Sequence, residues 1–367
     1  MINSKDISII VQGAIKTKET TKCLKSLRKY LPQAEIILST WEGSDVSVFD
    51  GLYDILIFNK DPGAVILHLD IKDVPNNLNR QLLSTKEGLK RATKKYAMKF
   101  RTDFCMASNK FLEYFDKYPA RNEQYKLFER KLLCSTSFSR KNYGDNDEKG
   151  ETLFHPADFW FFGLTTDLRK LFDETPLVNE PDFSNYFAKD ENKAKISPYY
   201  SYCRKMTCQF ASEQYIGYSA FVRNYPELHM DDASDFDEEL IKKSRICMIN
   251  NFIPLEFAQS GIYTDKYPYT KEEKFLGQQY LGLYNNHYYE QEYKIFCDSS
   301  FEIKAGNLLF KNAKITKAIL KAYKHYYKLI DKETKPLKKL EEICISLPCA
   351  VVNLIIVLSF NFFINKK

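Results

Sequence analysis

The sequence predicts an α/β protein: an open, twisted, mostly parallel sheet flanked by helices, ending in a basic and then apolar helical tail. Three observations predict it. Short apolar runs without polar alternation recur through the first hundred residues, as in strands buried on both faces of a sheet. Segments with leucines three and four apart separate them, the pattern of helices with one buried face. A lysine-striped segment and a long uncharged run close the chain. With 367 residues, the chain has room for one large domain and an appendage. A composition of 44% hydrophobic and 28% charged residues excludes collagen-like, mucin-like and wholly disordered classes. A mean hydropathy of −0.42 excludes a polytopic membrane protein.

The elements follow in order. Ile7–Val11 (ISIIV) reads as the first strand, ended by Gln12-Gly13. Thr17–Tyr30 reads as a helix, with Thr20, Leu24, Leu27 and Leu31 on one face and Pro32 as its stop. Glu35–Ser39 and Asp54–Phe58 read as the next strands, the second followed by the turn Asn59-Lys60-Asp61-Pro62-Gly63. Asn76–Ala92 reads as a second helix carrying Leu78, Leu82, Leu83 and Leu89. Tyr96–Phe100 reads as a fourth strand that runs into Arg101-Thr102-Asp103. Farther on, Phe111, Leu112 and Phe115 suggest a helix, and Lys141–Glu151 reads as a polar loop, either covering a site or merely exposed.

Open α/β sheets bind ligands beyond the carboxyl ends of their strands. That rule selects Gln12, Gly13, Thr40 to Glu42, Asp61 and Asp103. Asp103 suits a Mg²⁺ or Mn²⁺ ion carrying a diphosphate, or simply caps the following turn. No GxGxxG or GxxxxGK[ST] occurs, so a dinucleotide fingerprint and a P-loop are both absent. Nine scattered cysteines without a CxxC read as reduced thiols, and five histidines without HExxH do not read as a zinc enzyme. The opening MINSKDISIIVQG lacks the apolar core of a signal peptide, so the bulk of the chain is expected in the cytoplasm.

The succession ISIIVQGAI, CLKSLRKYLPQAEIILSTWEGSD, KDPG, NNLNRQLLSTKEGLKRA and YAMKFRTD resembles the WavE lipopolysaccharide synthesis family. That family is regarded as bacterial glycosyltransferases related to the GT-A nucleotide-sugar fold. The resemblance covers residues 5–260 and implies a GT-A-like sheet. It implies that Arg101-Thr102-Asp103 stands where related enzymes carry a DxD metal motif, with Asp103 holding the metal. Arg101 departs from that motif, so it either touches the diphosphate or leaves the metal less tightly held. Asn79, Arg80 and Gln81 match a polar helix start that faces the sugar nucleotide, and Arg80 suits a diphosphate as a planar two-pronged donor. Thr40 and Trp41 are placed to meet a nucleobase, or Trp41 fills core; Asp61 meets the nucleoside or caps its turn.

Two later segments complete the reading. HPADFWFFG at 155–163 resembles the family's acceptor-facing stretch, with an aromatic core strand as the alternative. CQFASEQYIG places Glu213 and Gln214 at the head of an amphipathic segment. Inverting transfer needs a base for the acceptor hydroxyl, and Asp158 and Glu213 are the candidates, with His155 behind them. Each carboxylate has the alternative of being a salt-bridge partner. The acidic run at Asp231-Asp232 reads as helix capping and solvation.

Lys311, Lys314, Lys317, Lys321, Lys324, Lys328, Lys332 and Lys335 recur every three or four residues, a basic helical stripe suited to an anionic membrane surface or to plain solvation. Residues 311–339 hold ten lysines against Asp331 and Glu333, so the chain's net charge of +6 belongs to this segment. Ile343–Ile364 follows without a charge, expected to insert in the interface or to span marginally. The chain is therefore read as a catalytic domain over 1–235, with its donor half near 1–110 and its acceptor half near 111–235. An extension over 236–310 packs on it, and 311–367 forms the membrane-associating tail. Donor, acceptor and divalent metal follow from the resemblance. The acceptor would be a glycan or glycolipid at the cytoplasmic face of the inner membrane, reached by a peripheral or tail-anchored enzyme. Nucleic acid is excluded because the basic stripe runs into an apolar tail. The alternatives are a nucleotidyltransferase, which the glycine-poor first loop disfavours, and a non-catalytic glycolipid-binding protein.

Overall fold

The computed structural model describes residues 2–68, 73–142, 151–193, 207–271 and 282–303. The lysine stripe, the uncharged run and most of the 141–151 loop lie outside them. Strands β1 (Ile7–Gln12), β2 (Glu35–Trp41) and β3 (Ile55–Asn59) form where the apolar runs predict them, each displaced at one end or lengthened by one or two residues. Helix α1 (Thr17–Tyr30) has its predicted bounds and buries Thr20, Cys23, Leu24 and Leu27. Each such aliphatic side chain fully withdrawn from water stabilises the fold by about 1.5–3 kcal/mol. A hairpin that the sequence reading did not contain, β4 (Val65–His68) and β5 (Asp73–Asn76), precedes α2 (Leu78–Arg91). Its four-residue strands, one of them holding Pro75, fall below the length at which periodicity speaks.

Strand β6 (Tyr96–Arg101) completes a parallel quartet in the order β6-β1-β2-β3. After the short β7 (Cys105–Met106), the segment expected to be helical at Phe111–Phe115 is a 3-10 turn over Lys110–Tyr114. Strands β8 (Leu132–Ser135), β9 (Arg140–Asn142), β10 (Glu151–His155) and β11 (Trp160–Leu164) follow. β11 enters the main sheet antiparallel to both β6 and β8, with Trp160 opposite Phe100. Its Trp160, Phe161 and Phe162 are buried, so this part of HPADFWFFG is an aromatic core strand.

Helices α3 (Thr165–Phe172), α4 (Asp190–Lys193), α5 (Ser212–Asn224) and α6 (Glu238–Asn251) lead to β12 (Phe252–Leu255), which pairs parallel with β8 at the far edge. The main sheet has seven strands, β12-β8-β11-β6-β1-β2-β3. Helix α7 (Phe257–Ser260), strand β13 (Ile262–Tyr263), which pairs with β7, and helix α8 (Asn286–Phe296) close the described chain. One buried cluster runs from Ile7 to Tyr293, so the described parts of 236–303 contribute to the core of the sheet through residues such as Ile249, Phe252 and Tyr289. Asp232 closes a turn through Ser234, while Asp237 caps α6 through the Leu240 N–H. The six described cysteines are free thiols, five of them buried.

α5 lies close against β10 and the residues after it. A Cβ at Gly217 would meet the Phe154 carbonyl oxygen at 2.3 Å and Pro156 Cδ at 2.6 Å, and only glycine allows that approach. Since part of that obstacle is backbone, Gly217→Ala is expected to destabilise the protein by about 1–3 kcal/mol, visible as a lower urea midpoint. An unchanged midpoint would contradict the close packing.

Candidate active site

A cavity of ≈ 360 Å³ opens at the carboxyl ends of the parallel strands, lined by the ends of β1, β2 and β6, the turn after β3 and one face of α2. The loop after β1 is tied in place from both sides. Gly13 takes φ +118°, donates its N–H to Ser39 O at 3.1 Å and accepts from Thr40 Oγ1 at 3.0 Å. Thr102 Oγ1 donates to Ala14 O at 2.7 Å from the other side. Gln12 is buried and its Oε1 accepts from Ser84 Oγ at 2.8 Å. Thr40 is wholly buried behind the wall, where its hydroxyl positions the Gly13 loop. Trp41 is in the lining itself.

Helix α2 contributes Asn77, Arg80 and Gln81, which share one face with Ser84 at spacings of three and four. Arg80 grips Asp61 with both prongs, Nε to Oδ1 at 2.7 Å and Nη2 to Oδ2 at 2.6 Å, and donates to Asn77 Oδ1 at 3.1 Å. The hydrogen bonds from Arg80 hold the Asp61 carboxyl below its ordinary pKa, against the effect of its partial burial. Gln81 Nε2 is buried and has no hydrogen-bond partner among the described residues. Asn79 points elsewhere: its amide donates to Val178 O at 3.0 Å and accepts from Val178 N at 2.8 Å, fastening α2 to the 176–179 segment.

Arg101 and Asp103 form a second two-pronged pair, Nε to Oδ1 at 2.9 Å and Nη2 to Oδ2 at 2.8 Å. The guanidinium also lies 5.4 Å from the Phe104 ring centroid and 5.5 Å from that of Phe159. Burial opposes the charge on each partner, yet the pairing outweighs it, raising the pKa of Arg101 and lowering that of Asp103. Lys16 and Lys266 also line the cavity, which thus holds four cationic side chains against Glu19, Asp61 and Asp103. These residues do not fit a divalent cation as they stand. Every Asp103 and Asp61 oxygen accepts from a guanidinium, and among the described residues no group of three His, Cys, Asp or Glu gathers as a ligand set.

The acceptor-side candidates converge beside this pair. Because β11 runs against the other strands, its amino end lies at their carboxyl ends, and the Trp160–Phe100 register sets Asp158 next to the Arg101–Asp103 turn. Lys99, fully buried in β6, donates its ammonium to the Asp158 carbonyl oxygen. Burial pushes the Lys99 pKa down to about 8, against the pull of Asp158. Glu213, half-buried in the first turn of α5, is pushed up to about 7 by burial and then by the charge of Asp158. His155 is buried, and burial with the Arg140 charge lowers its pKa to about 3, so it is a poor base. A row of rings, Phe159 on Tyr267 at 6.0 Å and Tyr267 on Tyr269 at 5.4 Å, borders the same region.

Of the residues selected in the sequence, Gln12, Gly13, Trp41, Asp61, Arg80, Gln81, Arg101 and Asp103 meet in one cavity. Asp158 and Glu213 adjoin it through Arg101, whose charge both of them touch. Asn79 and Thr40 are structural. Lys16, Lys99, Lys266 and Tyr267 were not selected. Lys99 had a signal, since a lysine inside the apolar run YAMKF must be paired where it is buried. Lys266 and Tyr267 had none, being in a turn 163 or more residues from Asp103.

Fold and site together define an α/β protein with a cleft at the carboxyl edge of its sheet, lined by four cationic and three acidic side chains. The model of the family described as WavE lipopolysaccharide synthesis matches residues 7–324, and the chain belongs to that family. Among solved structures the chain is similar to an active-site mutant of LgtC, at 11% identity and TM-score 0.34, covering 71% of this chain and 88% of that one. It is also similar to the galactosyltransferase LgtC in complex with donor and acceptor sugar analogs, at 9% identity and TM-score 0.33, covering 82% and 98%. S. aureus TarS is similar at 10% identity and TM-score 0.30, covering 90% of this chain and 50% of that one. No curated protein matches the chain.

The raised pKa of Glu213 has a consequence for stability. The folded state binds this proton more tightly than the unfolded chain, so stability falls as pH rises from 4.5 to about 7 and then levels. Denaturant titrations across that window should show wild type losing stability relative to Glu213→Gln; parallel pH dependences would contradict the assignment.

Proposed function

We propose that the protein transfers a glycosyl group from a nucleotide-sugar to a saccharide hydroxyl during synthesis of bacterial lipopolysaccharide or a related surface glycan. One observation carries the reading: in a chain of this family, two arginine–carboxylate pairs line one strand-end cavity, and a carboxylate with a pKa near neutrality stands beside them. A guanidinium has five N–H donors, so Arg80 and Arg101, each held by a carboxylate through Nε and Nη2, keep other N–H groups for a phosphate. The donor diphosphate is therefore assigned to Arg80 and Arg101, with Trp41 against the base and Asp61 beside the nucleoside.

Glu213 serves as the base for the acceptor hydroxyl. A base works best with its pKa near the working pH, and Glu213 meets that condition. Asp158 tunes it, its negative charge holding the Glu213 proton on. The acceptor is a glycan or glycolipid, and the lysine stripe at 311–335 supports delivery at the anionic cytoplasmic face of the inner membrane. Among the described residues no helix is long and apolar enough to cross a membrane.

Purified protein with a panel of nucleotide-sugars and lipopolysaccharide-core acceptors should release nucleotide and yield a glycosylated product. Glu213→Gln should lower kcat by about 10²–10⁴-fold with the donor KM nearly unchanged. The rate should rise with pH through about 7 in the wild type, and Asp158→Asn should move that limb to lower pH by removing the neighbouring negative charge. Absence of turnover with every donor, or an unshifted limb in Asp158→Asn, counts against these roles.

A further inference from the structure

Building on that donor reading, we infer that the Arg101 guanidinium, not a divalent cation, takes up the charge of the departing diphosphate in this protein. Arg101 ends a buried strand, and two rings and Asp103 fix its plane. Asp103 occupies Nε and one Nη2 hydrogen. A guanidinium has five N–H donors, so about three remain for a second acceptor. Among the described residues no protein acceptor takes them. The group is partly open to the cavity, with 23% of its side chain exposed.

The carboxylate that would hold a metal is the one that holds this arginine. A cation at Asp103 would sit against the Arg101 guanidinium and within reach of the Lys266 charge, which also acts on Asp103. Like charges at that separation repel, and removing Arg101 from its carboxylate would strand a charge in a largely buried setting. A second pair in the same cavity repeats the device, with Arg80 held by Asp61. Two guanidinium groups, each oriented by a carboxylate, form a clamp for two phosphates. They supply the fixed positive charge that a metal supplies elsewhere.

The step balances without a metal. The bond between the sugar anomeric carbon and the diphosphate oxygen breaks, and its electron pair stays on that oxygen. The acceptor oxygen forms the new bond to the anomeric carbon, and its proton passes to the Glu213 carboxylate. Arg101 and Arg80 donate N–H groups to the diphosphate oxygens as charge builds there. Nothing is oxidised or reduced.

Calorimetric titration of the full chain with UDP, GDP, ADP and dTDP, each in excess EDTA and again with Mg²⁺ or Mn²⁺, tests this. At least one nucleotide should bind in EDTA within about threefold of its affinity with metal, a difference under 1 kcal/mol. Arg101→Gln should weaken that binding by about 10–100-fold, the loss of a charge-assisted hydrogen bond. Asp103→Asn should leave it intact or tighten it, because it releases the guanidinium, whereas a metal-holding aspartate would lose metal-dependent binding. Binding only in the presence of metal, or loss in Asp103→Asn with none in Arg101→Gln, overturns the inference and leaves the donor site standing. If no nucleoside diphosphate binds under either condition, the donor reading fails and the inference with it. Should Arg101→Gln not fold, Arg101→Lys and the wild-type comparison in EDTA decide.

Discussion

The antiparallel pairing of β11 with β6 is the contact on which the site depends. The parallel quartet alone offers only its carboxyl ends, with Gln12, Trp41, Asp61 and Arg101 arranged along them. A strand running the other way delivers its amino end to that same edge. The Trp160–Phe100 register thereby carries Asp158 to Arg101 across 57 residues of chain. Trp160, Phe161 and Phe162 are all buried, so both faces of β11 pack, and a slip of one residue would send each ring to the opposite face and into packing shaped for a different side chain. The aromatic run is therefore core in its strand, and at its border Asp158 and Phe159 lie beside Arg101.

Electrostatics inside the site follow from burial. Charges taken out of water must be paired, and the pairs here are two-pronged and tight. Arg80 with Asp61 and Arg101 with Asp103 keep four charges in a small cavity without a free one facing apolar walls. Lys99 is anchored on the Asp158 carbonyl, so the same loop that presents the Asp158 carboxylate is held from below. Glu213 is the exception, a carboxylate whose proton affinity is raised first by burial and then by the negative charge of Asp158.

Most of the cavity lining at the strand ends was legible in sequence because strand ends are legible. An apolar run announces a buried strand, and the polar residue after it must lie at the edge. Gln12, Gly13, Trp41, Asp61 and Asp103 all follow by that reasoning, whereas Arg101 entered only through the family resemblance. Helical spacing alone did not separate Asn79 from Arg80 and Gln81. They are neighbours in sequence, yet successive residues turn by about 100°, and only the position of Val178 shows which face was already taken. The β4–β5 hairpin was missed because its strands are too short to carry a period.

The sequence by itself determined four strands and both long helices of the first hundred residues, the family, and which residue types stand at the sheet's carboxyl edge. These are local properties, written in hydrophobic period and turn chemistry within a few residues of each position. Only the tertiary structure decided that Arg101 holds Asp103, that Glu213 lies beside Asp158, and that Lys266 joins a cavity whose other lining residues end at Asp103, 163 residues earlier in the chain. Pairing of charges is a matter of distance in space. Nothing in a sequence period encodes the reversal of β11 or the packing of α5 that brings these groups within reach of one another.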